Sequence, residues 1–321
     1  MKQLSVIIPA LNEASQISQT LQVIRDELGN GTFEYEVILV DNGSSDDTVS
    51  LAQQSGARTL VSPNVSIAAL RNAGVAASNG SVLLFLDADV LLSPGWLQQL
   101  QTQAPLWTPD SYLVTGCRCQ SPDPNHYLTR FWFGRMKDRN SHYINRGHLI
   151  TNRATFTRIG GFDENLSTVE DADFCERAHR LNIPVRPDPK LVAIHRHYPE
   201  SLSAFIGREI WHGRADVSSW DRFRHSAVAL VATALVTLLV GGLVSTVLLQ
   251  SAWPLLLALL MGGVGILAMT HYKFGAGSPA VTLGSAGLLT IYLLSRFSAL
   301  FLPGQRVRRN GSDAAPWLNT R

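Results

Sequence analysis

Apolar and polar positions alternate in blocks along the amino-terminal part of the chain, and each block has a period of its own. Leu4-Ser5-Val6-Ile7-Ile8, closed by Pro9, predicts a strand, and Ile17, Leu21, Ile24 and Leu28 then recur at helical spacing through 14–28. Glu36-Val37-Ile38-Leu39-Val40 predicts a second buried strand. It is closed by Asp41-Asn42-Gly43-Ser44-Ser45-Asp46, which is turn chemistry with an N-cap for a helix from about Asp47. The unit repeats: Thr59-Leu60-Val61 is a brief strand, 66–78 a helix of small residues, and Ser81 to Leu86 an apolar strand that stops at Asp87-Ala88-Asp89. Such alternation implies an α/β fold with a mainly parallel sheet flanked by helices on both faces.

Further on the pattern is sparser. Pro94-Gly95-Trp96 opens a short helix, Tyr112 to Gly116 predicts a strand, and Phe131-Trp132-Phe133 forms an aromatic cluster that serves as core or as a platform for a bound molecule. Leu191 to Ile194 predicts another strand, ending at His195-Arg196-His197. Leu202, Phe205, Ile206 and Ile210 then make a helical apolar stripe beside Arg208, Trp211, His212 and Arg214, suited to the level of lipid headgroups.

Hydropathy divides the chain more sharply than composition. The whole is 45% hydrophobic and 16% charged, yet 226–270 contains no Asp, Glu, Lys or Arg. That is enough for two helical crossings of a bilayer at about 20 residues each. We read 226–249 and 252–270 as a membrane hairpin and 279–302, interrupted by Arg296, as a third apolar segment that spans or lies in the interface. Arg222 and Arg224 before the hairpin, and Arg306, Arg308 and Arg309 after the third segment, fit a positive-inside arrangement best with two spans and a surface helix. The expected organisation is 1–215 as the α/β domain, 216–225 as a juxtamembrane linker, 226–302 as membrane helices and 303–321 as a polar tail. With no apolar signal segment at Met1-Lys2-Gln3-Leu4, the first domain is expected to be cytoplasmic and the chain integral to the cell (inner) membrane. A net charge of +2 without a basic run argues against nucleic acid, and the odd trio Cys117, Cys119 and Cys175 reads as reduced thiols.

Three strand ends point polar groups to one edge of the sheet: Asn12 and Glu13 after the first, Asp41 after the second, and Asp87 and Asp89 after the strand at 81–86. No Gly-x-Gly-x-x-Gly or Gly-x-x-x-x-Gly-Lys-Ser/Thr loop follows the first strand, so a phosphate at this edge would be gripped through carboxylates and a hard divalent cation.

Ser5 to Glu13, Val40 to Thr48, Arg71-Asn72-Ala73-Gly74 and Phe85 to Asp89 together resemble the ordered motifs of family 2 glycosyltransferases with the Rossmann-like GT-A fold. The resemblance implies that Pro9, Ala10, Glu13 and Asp41 hold the nucleoside of a UDP- or GDP-linked sugar. It also implies that Asp87 and Asp89 bind Mn²⁺ or Mg²⁺ on the diphosphate, joined by His195 where that side chain is a ligand rather than an edge residue. Asn42 departs from the second Asp common in the family. Arg71 within its motif is either a surface cation or a phosphate contact. Gly160-Gly161-Phe162-Asp163-Glu164 and Glu170 to Arg177 resemble the acceptor side of the family, with Asp171 at the position of the catalytic base. Ser167 and Thr168 stand at capping-box spacing from Glu170 and Asp171, so Glu170 either shares the catalytic work or caps the helix.

Arg208-Glu209-Ile210-Trp211 stands where processive members carry Gln-x-x-Arg-Trp, which favours single addition. The resemblance implies transfer of a sugar with inversion, and the apolar helices add the expectation of a lipid-linked or glycan acceptor at the membrane. The alternative from another class is a non-catalytic nucleotide-sugar-binding subunit or scaffold.

Overall fold

The computed structural model describes residues 3–29, 34–108, 111–117, 119–136, 144, 147–166, 170–196, 198–217 and 219–301. Ser167 and Thr168, His197 and the tail beyond 301, with Arg306, Arg308 and Arg309, lie outside the described residues. The chain runs through β1 (Gln3–Ala10), α1 (Ala14–Leu28), β2 (Glu34–Asp41), α2 (Thr48–Gln54), β3 (Arg58–Val61), α3 (Ile67–Ala77), β4 (Val82–Leu86) and β5 (Val90–Leu92). It continues through α4 (Trp96–Thr102), β6 (Val114–Gly116), α5 (Tyr127–Phe131), β7 (His148–Asn152), α6 (Arg153–Ile159), α7 (Glu170–Arg180), β8 (Val185–Pro187) and β9 (Ala193–His195). Five helices close it: α8 (Leu202–Asp216), α9 (Trp220–His225), α10 (Ala227–Leu249), α11 (Trp253–Phe274) and α12 (Pro279–Ser298).

These elements form two compact units. The first takes in 3–122 and 144–198, and the second 123–136 and 199–301. Both α5, with the Phe131-Trp132-Phe133 cluster, and α8 therefore belong to the helical unit, although α5 and all but the last residue of α8 lie inside the expected 1–215 domain.

A sheet of order β3-β2-β1-β4-β7-β6-β8 forms the centre of the first unit. The pairs β1–β2, β1–β4 and β2–β3 are parallel, as the strand and helix alternation requires, and β7 runs antiparallel to both β4 and β6. Alternate side chains of β1 and β4 enter opposite faces. Leu4, Val6, Ile8, Val82, Leu84 and Leu86 pack with Ile17, Leu21, Ile24 and Leu28 of α1, whereas Ile7, Leu83 and Phe85 pack with Ala68, Val75, Phe174 and Ala178 of α3 and α7. Each large side chain so buried contributes about 1.5–3 kcal/mol. A Cβ at Gly74 would stand 2.4 Å from Ile7 Cγ2, so glycine is what lets α3 lie against β1.

His148 on β7 is fully buried opposite Leu86 of β4. Its Nε2 accepts from Trp96 Nε1 at 2.7 Å, and Nδ1 faces the Cys117 backbone N–H at 3.1 Å. Burial pulls its pKa down from the usual value to about 3, and two donors aimed at the ring oppose an imidazolium. Burial likewise pushes the Cys175 thiol up to about 12, and Cys117, Cys119 and Cys175 are all free and buried.

In the second unit α10 and α11 pack as a hairpin about Gln250, which adopts φ 47. Gly242 allows the close approach, since a Cβ there would meet Ala258 Cβ at 2.5 Å. By length and composition α10, α11 and α12 could each cross a membrane, with mean hydropathy 2.5, 1.9 and 1.4. Helix α12 is the least apolar and the most covered of the three. It packs along α8 and α5, with Ser285 Oγ donating to Phe131 O at 2.6 Å and Gly213 against Ala299. Trp132, fully buried among Phe205, Phe274 and Tyr292, is core of this unit. Helix α9 falls within the expected linker and carries Arg222 and Arg224 immediately before α10.

The buried neutral histidine makes stability pH-dependent. Above about pH 6.5 His148 is neutral folded and unfolded and contributes no slope. Below it the unfolded chain takes up a proton that the fold refuses, so stability should fall by roughly 1.4 kcal/mol per pH unit down to the folded value. Unfolding midpoints measured between pH 7 and pH 4.5 should show this loss, and His148→Gln should remove most of the slope.

Candidate active site

The loop after β1 is tied to the loop after β2. Asn12, at φ 56, accepts at Oδ1 from Ser45 N, and its own backbone N–H donates to Ser44 Oγ at 2.8 Å. Glu13 N donates to Thr48 Oγ1 at 2.7 Å, and Asp46 Oδ2 accepts from Ala14 N at 3.1 Å. Partial burial pushes the Asp46 pKa up, but hydrogen bonds from Thr48 and the Ala14 amide outweigh it and leave the group below the usual carboxylate range. Pro9 and Ala10 are buried at the end of β1, and Glu13 is half-buried at the head of α1. Asp41 is 1% exposed: Oδ2 accepts from the Gly43 and Ser44 amides at 2.8 Å each, and Oδ1 from Ser44 Oγ. Its carboxylate shapes the turn. Asp46, rather than the N-cap Asp47, bonds the Thr48 amide at the start of α2.

At the end of β4, Asp87 and Asp89 meet His195. One ligand-capable atom from each lies within 4.8 Å of the others, and His195 Nε2 stands 3.5 Å from Asp89 Oδ2. Local pairing explains the meeting. β5 and β9 form a two-stranded antiparallel sheet in which Val90 faces His195, and Arg196 N donates to Asp89 O at 3.0 Å. Two carboxylates and an imidazole suit a hard or borderline divalent cation such as Mn²⁺. The ring nitrogen that faces Asp89 is Nε2, and Nδ1 is buried with no hydrogen-bond partner among the described residues, so no described hydrogen bond turns the imidazole away from the two carboxylates. The residues fit the expected metal.

Arg71 is fully buried. Its NH2 donates to Asp87 Oδ1 at 2.8 Å and its NH1 to Glu170 Oε1 at 2.5 Å. The surface-cation reading is therefore excluded, and the guanidinium is engaged with carboxylates of the chain itself. Glu170, fully buried, opens α7 immediately before Asp171, which is 7% exposed and accepts from the Ala172 amide at 2.9 Å. One cation thereby links the metal-side Asp87 to the helix that carries the expected base. The adjacent Asn72 completes the link: Nδ2 donates to Phe162 O at 2.9 Å and Glu164 Oε1 at 2.8 Å, and Oδ1 accepts from Phe162 N at 3.0 Å. Gly160 and Gly161, at φ 90 and 71, give that turn its shape, and the Arg71 guanidinium lies 5.6 Å from the Phe162 ring centre.

Sequence reasoning did not find the β5–β9 pairing or Arg71 as the bridge. Leu91 and Leu92 were the available sign of β5, and an Arg in a small-residue helix was the sign of the bridge.

An open, largely parallel sheet with two carboxylates and an imidazole grouped at its edge after β4 is the arrangement of the GT-A fold. Residues 5–160 match the family model "Glycosyl transferase family 2", so this segment carries a domain of that family. A pre-mycofactocin glycosyltransferase of Mycobacterium tuberculosis is 27% identical over 66% of this chain and 46% of the relative. An undecaprenyl-phosphate 4-deoxy-4-formamido-L-arabinose transferase of Pseudomonas savastanoi pv. phaseolicola is 31% identical over 31% of this chain and 32% of its own length. The chain thus spans less than half of each of these relatives. The mannosyltransferase PcManGT from Pyrobaculum calidifontis, solved with GDP-Man and Mn²⁺, is 17% identical, covers 95% of this chain and 88% of its own, and superposes with a TM-score of 0.53, which shows a shared fold.

Removing the bridge should cost stability before it costs chemistry. Arg71→Met leaves Glu170 buried without its cation and should destabilise the protein by about 3–5 kcal/mol. In a thermal melt of detergent-solubilised protein this is a drop of roughly 6–20 °C. Adding Glu170→Gln should recover a large part of it.

Proposed function

We propose that the chain is a membrane-anchored, metal-dependent, inverting glycosyltransferase that adds a single sugar from a nucleotide-sugar to a hydroxyl or phosphate oxygen of a lipid-linked or glycan acceptor. The observation that carries this reading is the grouping of Asp87, Asp89 and His195 at the end of β4 in a family 2 domain. Those three residues would hold Mn²⁺ or Mg²⁺, and the cation would neutralise charge developing on the departing nucleoside diphosphate.

The chain's own residues do the rest. The linked loops after β1 and β2, with Pro9, Ala10 and Glu13 on one and Asp41 bracing the other, form the wall against which the nucleoside lies. Asp171, held at the first turn of α7, accepts the proton of an acceptor hydroxyl as that oxygen attacks the anomeric carbon. The bond from that carbon to the diphosphate breaks as the new one forms, so configuration inverts. Arg71 and Glu170 position Asp87 and the start of α7 rather than touching substrate.

The helical unit supports the reading of acceptor and location. Three helices apolar enough to cross a bilayer favour an acceptor carried by the membrane, and the name of the undecaprenyl-phosphate relative is in keeping with that. Arg222 and Arg224 at the head of α10 favour a cytoplasmic catalytic domain at the cell membrane.

The deciding measurement is nucleoside diphosphate release by purified full-length protein across a panel of nucleotide-sugars, with and without Mn²⁺ and native lipid extract. One donor should give release that chelation abolishes. Asp89→Ala and Asp171→Asn should each lower it by about a hundredfold or more while thermal midpoints hold. Nucleotide binding without turnover under every condition would overturn the enzymatic reading in favour of a binding subunit.

A further inference from the structure

An imidazole that binds a cation through one nitrogen is ordinarily held in place through the other, which donates its N–H to a carboxylate, a carbonyl or a water. His195 has no such hold among the described residues. Its Nε2 stands 3.5 Å from Asp89 Oδ2, and its Nδ1 is buried without a hydrogen-bond partner. The residue closes β9, a strand of three residues. Backbone pairing there fixes where the side chain begins, but the torsion that turns a histidine ring is broad and is left open by it.

Tyr198, three residues further on, is placed to close that freedom. Its ring meets the imidazole edge to face, with centroids 5.5 Å apart and planes at 72°. Ring quadrupoles favour this arrangement, and turning either ring away gives up the attraction. The tyrosine ring is itself anchored, because its hydroxyl donates to Cys119 O at 2.8 Å. Cys119 is buried and leads into a stretch laid beside β9. Gln120 bridges Ile194 in parallel, Gln120 N donates to Ala193 O at 2.8 Å, and His195 N donates to Gln120 O at 2.9 Å. The frame that holds the hydroxyl is thus the one that holds the His195 backbone. A closed path runs from the imidazole to the phenol ring, through its hydroxyl to Cys119, and through Gln120 back to the His195 amide.

We propose that Tyr198 is a positioning residue that sets the imidazole of His195 for the cation, its ring fixing the plane of the imidazole and its hydroxyl fixing the ring. The proposal rests on the reading of Asp87, Asp89 and His195 as a metal centre. It assigns to an aromatic contact the work that a hydrogen bond does at most histidine–metal sites, and it falls on a residue beyond the matched segment 5–160.

The test is Mn²⁺ binding by purified full-length protein in detergent, with UDP or GDP present and absent, followed by electron paramagnetic resonance. The signal of free Mn²⁺ gives the dissociation constant, and spin-echo modulation of the bound ion reports nitrogen from a coordinated imidazole. Wild type should show that nitrogen coupling and His195→Ala should lose it. Tyr198→Leu should weaken Mn²⁺ binding about tenfold and lose most of the coupling. Tyr198→Phe, which keeps the ring without its anchor, should fall between wild type and Tyr198→Leu in both readouts. Wild-type affinity and coupling in Tyr198→Leu would overturn the proposal. So would weak binding by Tyr198→Leu with undiminished coupling, since the tyrosine would then support the site by packing alone. Mn²⁺ bound by wild type without nitrogen coupling would overturn it and leave the carboxylate centre standing, whereas a wild type that binds no Mn²⁺ in any condition would remove the metal reading and the proposal with it. Were Tyr198→Leu not to fold, Tyr198→Phe would decide the matter, wild-type affinity and coupling there overturning the proposal.

Discussion

A guanidinium removed from water needs partners, and those of Arg71 determine how the rest of the first unit is arranged. The cost of desolvating that charge is met by Asp87 on one side and Glu170 on the other. Since Asp87 follows β4 and Glu170 opens α7, satisfying one cation fixes where the metal-side carboxylate stands relative to the helix bearing Asp171. Asn72, next in sequence, adds three hydrogen bonds to the turn that precedes α7. Packing of α3 against β1 at Gly74 holds the platform from which both side chains reach. Geometry at the site is thus inherited from a buried electrostatic requirement as well as from the sheet.

The helical unit solves a different problem with similar parts. Its cations stand beside aromatic rings and close carboxylates, an arrangement that lets Arg and Lys remain charged next to apolar helices. The buried Glu209 between Arg208 and Arg296 ties α8 to α12, as Arg71 ties α3 to α7. That link accounts for the greater burial of α12 relative to α10 and α11, and for its lower hydropathy. A helix that shares polar contacts with an amphipathic neighbour has less need of lipid on every side.

Legibility in the sequence followed the physics of each segment. β1, α1, β2 and β4 were readable because both faces of a parallel sheet demand unbroken apolar runs and the covering helix demands a 3.6-residue period. The acidic edge was readable because Asp87 and Asp89 end such a run. His148-Leu149-Ile150-Thr151-Asn152 was not, since three of its five buried positions are polar and a buried neutral histidine looks like a surface residue until Trp96 is placed beside it. The identity of Arg71 as an internal bridge was hidden for a related reason: its partners lie far along the chain, and neither has a local pattern that points back. β5 is three residues long, too short for periodicity, and only its register with β9 gives it meaning. The Phe131-Trp132-Phe133 cluster was visible, but its membership of the helical unit was set by partners on α8, α11 and α12.

That β5–β9 register carries a consequence for the order in which the site comes into being. Asp87 and Asp89 belong to the stretch made first, whereas Asp171 and His195 both lie beyond residue 160, where the family match ends. During synthesis the sheet can acquire β1 to β4 with its acidic edge exposed and incomplete, because chains fold from the amino terminus as they emerge. Only when β9 has been made and has zipped onto β5 does an imidazole reach the two carboxylates. A nascent chain therefore has the sheet and its acidic edge well before the Asp87, Asp89 and His195 group is complete, and the last strand of the first unit is the step that completes it.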